Sequence, residues 1–162
     1  GDVNVIAEDL GFLTDGVRRL LHDSGFPGMK VIQFAFDSRE ESDYLPHNYE
    51  KNCVVYTGTH DNDTLCGWYK VLDPDDLKLS QKYMNNANTP KTQIHWDFIR
   101  LALASVANLC IIPLQDYLGL GSEARINTPS TLGNNWRWRM KSGCLTKAFA
   151  EQIKEMTKLY GR

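Results

Sequence analysis

Four short apolar runs, separated by helical or long polar segments, constrain the fold of this chain more than any other feature of its sequence. The runs cover residues 3–7, 30–36, 53–57 and 109–114, and they are rich in the β-branched and aromatic residues that favour strands. Three of them are apolar at nearly every position, which is typical of parallel strands covered on both faces. The pattern therefore predicts an α/β fold with about four parallel strands.

Helices are predicted between and after these runs from capping residues and from apolar spacing. Thr14 can cap the first helix, and Gly25 can end it. Asp73 and Pro74 form a cap followed by a first-turn proline, which is a strong helix start. We expect helices over residues 14–24, from residue 74 to a break at residues 85–90, over residues 91–108, and from residue 145 to residue 160.

The length of 162 residues bears on the choice between two architectures. A (β/α)₈ barrel needs ~250 residues, so four strands make about half a barrel. A complete, small doubly wound sheet is the alternative, but no Gly-rich turn follows the first run, where Ala7 precedes Glu-Asp-Leu-Gly. The chain has no initiator Met and its first apolar run begins at residue 3, so we expect a fragment of a larger fold, with residues 1–162 in one domain.

Charge and composition exclude several classes of protein. Eighteen Lys and Arg against 20 Asp and Glu give a formal net charge of −2, which argues against nucleic acid as a partner. No apolar run approaches the ~20 residues of a membrane helix, so no membrane partner is expected. The four cysteines form no CxxC pair; they predict no zinc site and favour a reducing, cytoplasmic compartment.

Carboxylates follow every one of the four apolar runs. In parallel α/β folds the carboxyl ends of the strands meet on one face, and that face holds the active site. A single Asp after a strand is usually a helix cap or a turn former, but caps do not require a Glu and a His as well. The residues are Glu8 and Asp9 after the first run, Asp37 after the second, His60, Asp61 and Asp63 after the third, and Asp116 after the fourth.

Two chemistries fit this set of residues. Paired carboxylates on one face carry out glycoside chemistry, and the apolar surroundings of the first run would desolvate Glu8, which suits a general acid. His60 beside Asp61 can hydrogen-bond sugar hydroxyls. The same carboxylates and imidazole could instead bind a divalent metal, although the sequence contains no HxH or HxxxH pair. A metal-dependent hydrolase therefore stays open as an alternative.

A Gly-, Asn- and Trp-rich segment over residues 115–142 contains Trp136 and Trp138, which alternate with arginines. Aromatic rings among amides and arginines can stack on sugar rings or on bases. Equally, the alternate residues of this segment could point into a core while the arginines face solvent. The sequence leaves both interpretations open.

Five sequence blocks together resemble one known family. They are VIAEDLG at residues 5–11, FPGMKVIQFAFD at 26–37, YLPHNY at 44–49, VVYTGTHDNDT at 54–64 and PLQDYLGLGSEARINTPSTLGNNWRWR at 113–139. Their identity and order resemble the 4-α-glucanotransferases, also called amylomaltases or disproportionating enzymes (glycoside hydrolase family 77). The resemblance extends over nearly the whole chain. It implies the C-terminal part of a (β/α)₈ barrel, from the fifth strand onward.

The resemblance also implies an activity and roles for particular residues. The activity is a retaining double displacement on α-1,4-glucans and maltooligosaccharides, which needs no cofactor and no metal. The implied acid/base is Glu8, the transition-state-stabilising carboxylate is Asp61, and His60 binds the donor sugar. Asp37 and Asn134 are expected as further sugar contacts. The family's nucleophilic Asp matches no residue here, so we expect the chain alone to be inactive.

A non-catalytic carbohydrate-binding module is the second alternative, since a piece of such a barrel could bind sugar without reacting. Half a barrel would also leave two open strand edges and an uncovered apolar sheet face. We therefore expect the isolated chain either to be poorly soluble or to self-associate through these edges.

Overall fold

The structure of the chain, a computed structural model, describes residues 3–162. Six α-helices and three strands follow one another in these residues, and single-turn 3₁₀ helices lie in the connections. The elements are α1 (Asp15–Ser24), β1 (Gly28–Val31), β2 (Cys53–Tyr56), α2 (Leu65–Val71), α3 (Pro74–Met84), α4 (Ile94–Ala104), β3 (Leu109–Ile111), α5 (Leu114–Tyr117) and α6 (Lys147–Leu159), with 3₁₀ turns at Ile32–Phe34, Pro46–Asn48 and Ser122–Ala124.

The sheet of the described residues has three parallel strands in the order β1-β2-β3. Gly28 pairs with Cys53, and Val54 pairs with Leu109, so the strands run in chain order across the sheet. The central strand β2 is buried on both faces over Cys53–Val55, whereas β3 is partly exposed. The predicted α/β class with a parallel sheet is confirmed.

The prediction of a strand over residues 3–7 is wrong, so the described sheet has three strands instead of about four. The segment joins the sheet through Ala7, whose amide donates to the carbonyl of Pro27 at 2.9 Å. In β1 the amide of Met29 donates to a side-chain oxygen, Oδ1 of Asp9, at 2.6 Å. This side chain takes the place of the backbone carbonyl that a paired strand would provide. A β-branched run becomes a strand only where backbone groups continue the ladder.

The predicted second strand is shorter than its apolar run. β1 ends at Val31, and Ile32–Phe34 form a 3₁₀ turn closed by a hydrogen bond from the amide of Ala35 to the carbonyl of Ile32 at 3.0 Å. Ile32 is fully buried, so the apolar character of the run reflects burial and not extended backbone.

Each predicted helix is present, but the third predicted helix is shorter than expected. Thr14 accepts a hydrogen bond from the amide of Val17, and Gly25 ends α1 in the left-handed conformation at φ +68°. The side chain of Asp73 caps α3, in which Pro74 occupies the first turn. The helix expected over residues 91–108 is limited to Ile94–Ala104, and α2 was not anticipated.

The core lies between the sheet and the helices α2 and α4. Phe98 of α4 is fully buried, and three aromatic rings meet it edge to face at centroid distances of 5.2–5.9 Å: Trp68, Tyr69 and Phe36. Burying a Phe side chain contributes roughly 1.5–3 kcal/mol, so this cluster packs α2, which carries Trp68 and Tyr69, firmly against α4. Within residues 3–162, no helix is long and apolar enough to cross a membrane.

Candidate active site

A cleft of about 990 Å³ opens at the carboxyl ends of the three strands. Tyr56 and Ile111, the last residues of β2 and β3, lie in its wall. Three of the residues that the sequence singled out also line it, namely Glu8, His60 and Asp61. The structure thus brings the two carboxylates and the imidazole to one concave surface, as expected at the carboxyl ends of parallel strands.

Glu8 reaches the cleft because both of its neighbours are tied to the start of β1. Ala7 donates to Pro27, and Asp9 accepts from Met29. Gly28 makes room for this arrangement, since a Cβ at that position would lie 2.6 Å from Oδ2 of Asp9. Glu8 itself is exposed, so the desolvated surroundings expected for it from the sequence are absent in this structure.

His60 and Asp61 lie in a tight turn that follows β2. The side-chain oxygen of Asn62 accepts from the amide of Thr59 at 2.8 Å and from its hydroxyl at 2.9 Å. The amide of Asp61 donates to the same Thr59 hydroxyl at 3.2 Å. These short-range bonds are the turn chemistry that Thr and Asn provide, and they fix the backbone that presents His60 and Asp61.

A distant segment of the chain holds the same pair from the other side. The guanidinium of Arg125 donates to the carbonyl of Asp61 at 2.7 Å, and the amide of Asn127 donates to the carbonyl of His60 at 3.1 Å. The side-chain amide of Asn127 donates to Oδ1 of Asp61 at 2.6 Å. His60 Nε2 is 3.4 Å from that same oxygen. Sequence reasoning missed Arg125 and Asn127, although both lie in the block at 113–139.

Trp136 contacts His60 directly. The two ring centroids are 5.1 Å apart and the planes are inclined by 35°. The Trp136 side chain is largely exposed, which excludes the interpretation that it points into a core. Trp138, by contrast, is half-buried.

The other two sequence candidates lie outside the cleft. Arg39 binds both carboxylate oxygens of Asp37, at 2.8 and 2.7 Å. These hydrogen bonds lower the pKa of Asp37 to about 2. Asn134 is exposed, and its side-chain oxygen accepts from Arg137 at 3.3 Å. The structure therefore does not bring Asp37 or Asn134 together with Glu8.

Two further carboxylates near the strand ends are engaged within the protein. Asp116 is buried, accepts from the hydroxyl of Thr57 at 2.6 Å and accepts from the amide of Leu65 at 2.8 Å. Burial raises its pKa to about 6, although both hydrogen bonds oppose the shift. Asp63 accepts from the hydroxyl of Ser122 at 2.6 Å. In residues 3–162 no three His, Cys, Asp or Glu side chains are grouped closely enough to hold a metal ion.

Known proteins match the chain over its whole length. A sequence model of a family described as 4-alpha-glucanotransferase, glycoside hydrolase family 77, matches residues 1–146. The chain is 49% identical to the 4-alpha-glucanotransferase of Clostridium butyricum (100% of this chain, 33% of the relative) and 48% identical to that of Synechocystis sp. (98% and 31%). The structure of an amylomaltase from Streptococcus agalactiae in complex with acarbose superposes with a TM-score of 0.93 at 38% identity, covering 100% of this chain and 32% of that one.

These matches fix the class of the fold, since the amylomaltase is a (β/α)₈-barrel enzyme and the chain superposes on a third of it. The sheet described above is therefore part of such a barrel and not a complete doubly wound sheet. The chain belongs to the 4-alpha-glucanotransferase family, as its sequence blocks indicated. It spans about a third of the length of the curated relatives it matches. The comparisons give no support to a metal-dependent hydrolase or a separate binding module.

Proposed function

We propose that this chain is the C-terminal part of the catalytic barrel of a 4-α-glucanotransferase, which moves α-1,4-glucan segments between maltooligosaccharides. The rest of the barrel would come from the longer protein to which the chain belongs, called here the parent protein. One observation carries the proposal: Glu8, His60 and Asp61 line one cleft at the strand ends of a chain from this family. The related amylomaltase is in complex with acarbose, which supports ligand binding by this fold.

Glu8 is the proposed acid/base of a retaining double displacement. In the first step its carboxyl group gives a proton to the glycosidic oxygen, while a carboxylate nucleophile bonds to the anomeric carbon and the C–O bond breaks. In the second step Glu8 takes the proton from the 4-hydroxyl of an acceptor sugar, whose oxygen displaces the nucleophile. The exposed position of Glu8 leaves it accessible to both sugars. The nucleophile would come from elsewhere in the parent protein.

Asp61 and His60 are the proposed partners of the donor sugar. Hydrogen bonds to sugar hydroxyls strengthen as positive charge develops at the anomeric centre, and a fixed carboxylate contributes most because it needs no reorganisation at that moment. The bonds from Arg125 and Asn127 to Asp61 supply that fixation. We place Asp37 and Asn134 outside this centre, as contacts for sugar units beyond the cleft.

The isolated chain should differ from the parent protein in two ways. It lacks a match to the nucleophile, so we infer that it does not transfer glucan by itself. β1 and β3 form the two edges of its sheet, and large apolar side chains such as Phe12, Leu20 and Leu109 are exposed. We infer that these surfaces cause self-association. Four free cysteines favour a cytoplasmic location for the parent protein.

Incubation of the parent protein with maltotriose tests the proposal. Transfer predicts glucose together with a ladder of longer maltooligosaccharides, unchanged by a chelator. Maltose and glucose without longer products would show a hydrolase, and loss of activity on chelation would show a metal enzyme. Binding of maltotriose without any product would show a binding protein. Each of these three results would contradict the proposed function.

A further inference from the structure

An unfavourable backbone conformation occurs at Trp136. Its φ is +64°, in the left-handed region that L-residues with bulky side chains rarely adopt. Such a conformation persists where the surrounding structure determines it, and conformations of this kind are concentrated at functional sites. Ser130, six residues earlier in the same segment, also has a positive φ, of +60°. The segment therefore offers two strained positions for comparison.

Hydrogen bonds at Trp136 and at the residue before it hold this conformation. The amide of Trp136 donates to the carbonyl of Ile126 at 2.7 Å, next to the Arg125 and Asn127 contacts of Asp61. The preceding residue, Asn135, accepts from the amide of Thr128 at 3.0 Å through its side chain. The backbone at residue 136 is thus turned by bonds that anchor it to the same segment that holds His60 and Asp61.

The positive φ at residue 136 brings the indole into contact with His60 but does not bury it. Trp136 is 57% exposed, so removal of apolar surface from water explains little of its placement. The centroid of its ring instead lies 5.1 Å from the centroid of the His60 imidazole, with the two planes inclined by 35°. The imidazole is thereby bounded by the indole on one face and by Oδ1 of Asp61, 3.4 Å from its Nε2.

We propose that Trp136 is a positioning residue whose indole fixes the ring orientation of His60 toward Asp61 and the donor sugar. This inference rests on the proposed function, since it takes His60 as a sugar-binding group. A ring free to rotate about its side-chain bonds would spend less time in the orientation that the reaction needs. The strained backbone is retained because it places the indole there. Trp136 acts through His60 and does not itself need to touch the reacting atoms.

Glycine substitution separates this role from a structural one, because it removes the ring and relieves the backbone together. In the parent protein, Trp136→Gly should lower kcat on the order of tenfold or more. Its melting temperature should stay unchanged or rise. Trp136→Phe keeps a ring at the position and should retain most of the activity. Ser130→Gly is the matched control: it relieves the other strained position without touching His60, and it should leave kcat unchanged.

A spectroscopic readout tests the contact independently of activity. In histidine-labelled parent protein, the ring current of Trp136 should shift the His60 ring protons, and this shift should disappear in Trp136→Gly and persist in part in Trp136→Phe. Three results would overturn the inference: no change in the His60 resonances, kcat of Trp136→Gly within twofold of the wild type, or a loss of activity that matches a loss of folded protein. A wild-type parent protein without transferase activity would contradict the proposed function instead, while the resonance shift would still report on the contact.

Discussion

The side-chain amide of Asn127 donates a 2.6 Å hydrogen bond to Oδ1 of Asp61, across 66 residues of sequence. The bond joins the turn after β2 to the segment after the 3₁₀ turn Ser122–Ala124. Neither segment has regular secondary structure at this point, so the bond adds a long-range constraint to the local bonds of the turn. The orientation of the proposed stabilising carboxylate is therefore a property of tertiary structure.

Asn127→Ala in the parent protein should lower kcat on the order of tenfold, because Asp61 loses the donor that orients it. Binding of maltodextrin and the melting temperature should change little, since the bond is exposed to solvent. Steady-state kinetics with maltotriose measure the effect. Asn88→Ala, in the exposed connection between α3 and α4, is the matched control and should behave as wild type. Equal kcat values for the two variants would refute this role of Asn127.

In the parent protein, Glu8→Gln should abolish glucan transfer without changing the shape of the cleft. The amide has nearly the size of the carboxyl group but gives no proton, and loss of acid/base assistance typically costs 10²–10⁴-fold in rate. Glucose release from maltotriose and maltodextrin affinity are the two measurements. Glu155→Gln makes the same chemical change on the exposed face of α6 and should alter neither. Unchanged glucose release by Glu8→Gln would contradict the assignment of Glu8 as the acid/base.

Asp116 should make the parent protein's stability depend on pH. Its pKa is raised from 3.8 to about 6 in the folded state, so between these values the folded protein binds more protons than the unfolded chain. Stability from this group therefore decreases as pH rises through that window and is constant above it. Relative to Asp116→Asn, the wild type should gain roughly 1 kcal/mol on going from pH 7.5 to pH 5.

Denaturant unfolding of both proteins at the two pH values measures this difference. The comparison with Asp116→Asn cancels the other titrating groups, and the Asn side chain can still accept from Leu65 and donate to Thr57. A pH-independent difference between the two proteins would show that Asp116 does not titrate in this range.

The isolated chain of residues 1–162 should release no glucose from maltotriose, and it should elute from size exclusion as an oligomer or aggregate. The first result follows from the proposal that the nucleophile lies elsewhere in the parent protein, and the second from the exposed apolar side chains. Leu20→Lys, on the exposed surface of α1, should reduce the association, because charge opposes apolar contact. A monodisperse and active monomer would show that these residues contain a complete site.

The parts of the fold that could be predicted from sequence are those with short-range causes. Thr14 and Asp73 cap helices through bonds to residues two or three positions away, so their sequence context is sufficient. The prediction of a strand at residues 3–7 was wrong because a strand needs a partner for its backbone hydrogen bonds. The side chain of Asp9 binds β1 where those backbone bonds would have continued. The prediction of a strand at Ile32 was wrong because a buried residue and a residue in a strand give the same apolar pattern.

In the candidate site, too, some residues could be predicted from a local sequence pattern and others could not. Glu8, His60 and Asp61 follow apolar runs, and the convergence of strand ends predicted their common cleft. Asp37 met the same sequence criterion, but Arg39 two residues later binds its carboxylate. Asn127 and Trp136 carry no local signal for their roles, because their contacts with the His60–Asp61 pair depend on how distant segments meet.

The most direct test of the central claim is azide rescue of Glu8→Ala in the parent protein, with α-maltosyl fluoride as the donor. Fluoride leaves without a proton from the enzyme, and azide attacks without a general base, so both steps bypass the missing carboxyl group. The proposed acid/base role of Glu8 predicts slow turnover without azide, faster turnover with it, and α-maltosyl azide as the product, since two inversions retain the configuration. No acceleration by azide in a folded variant that still binds maltodextrin, or a β-configured product, would contradict it.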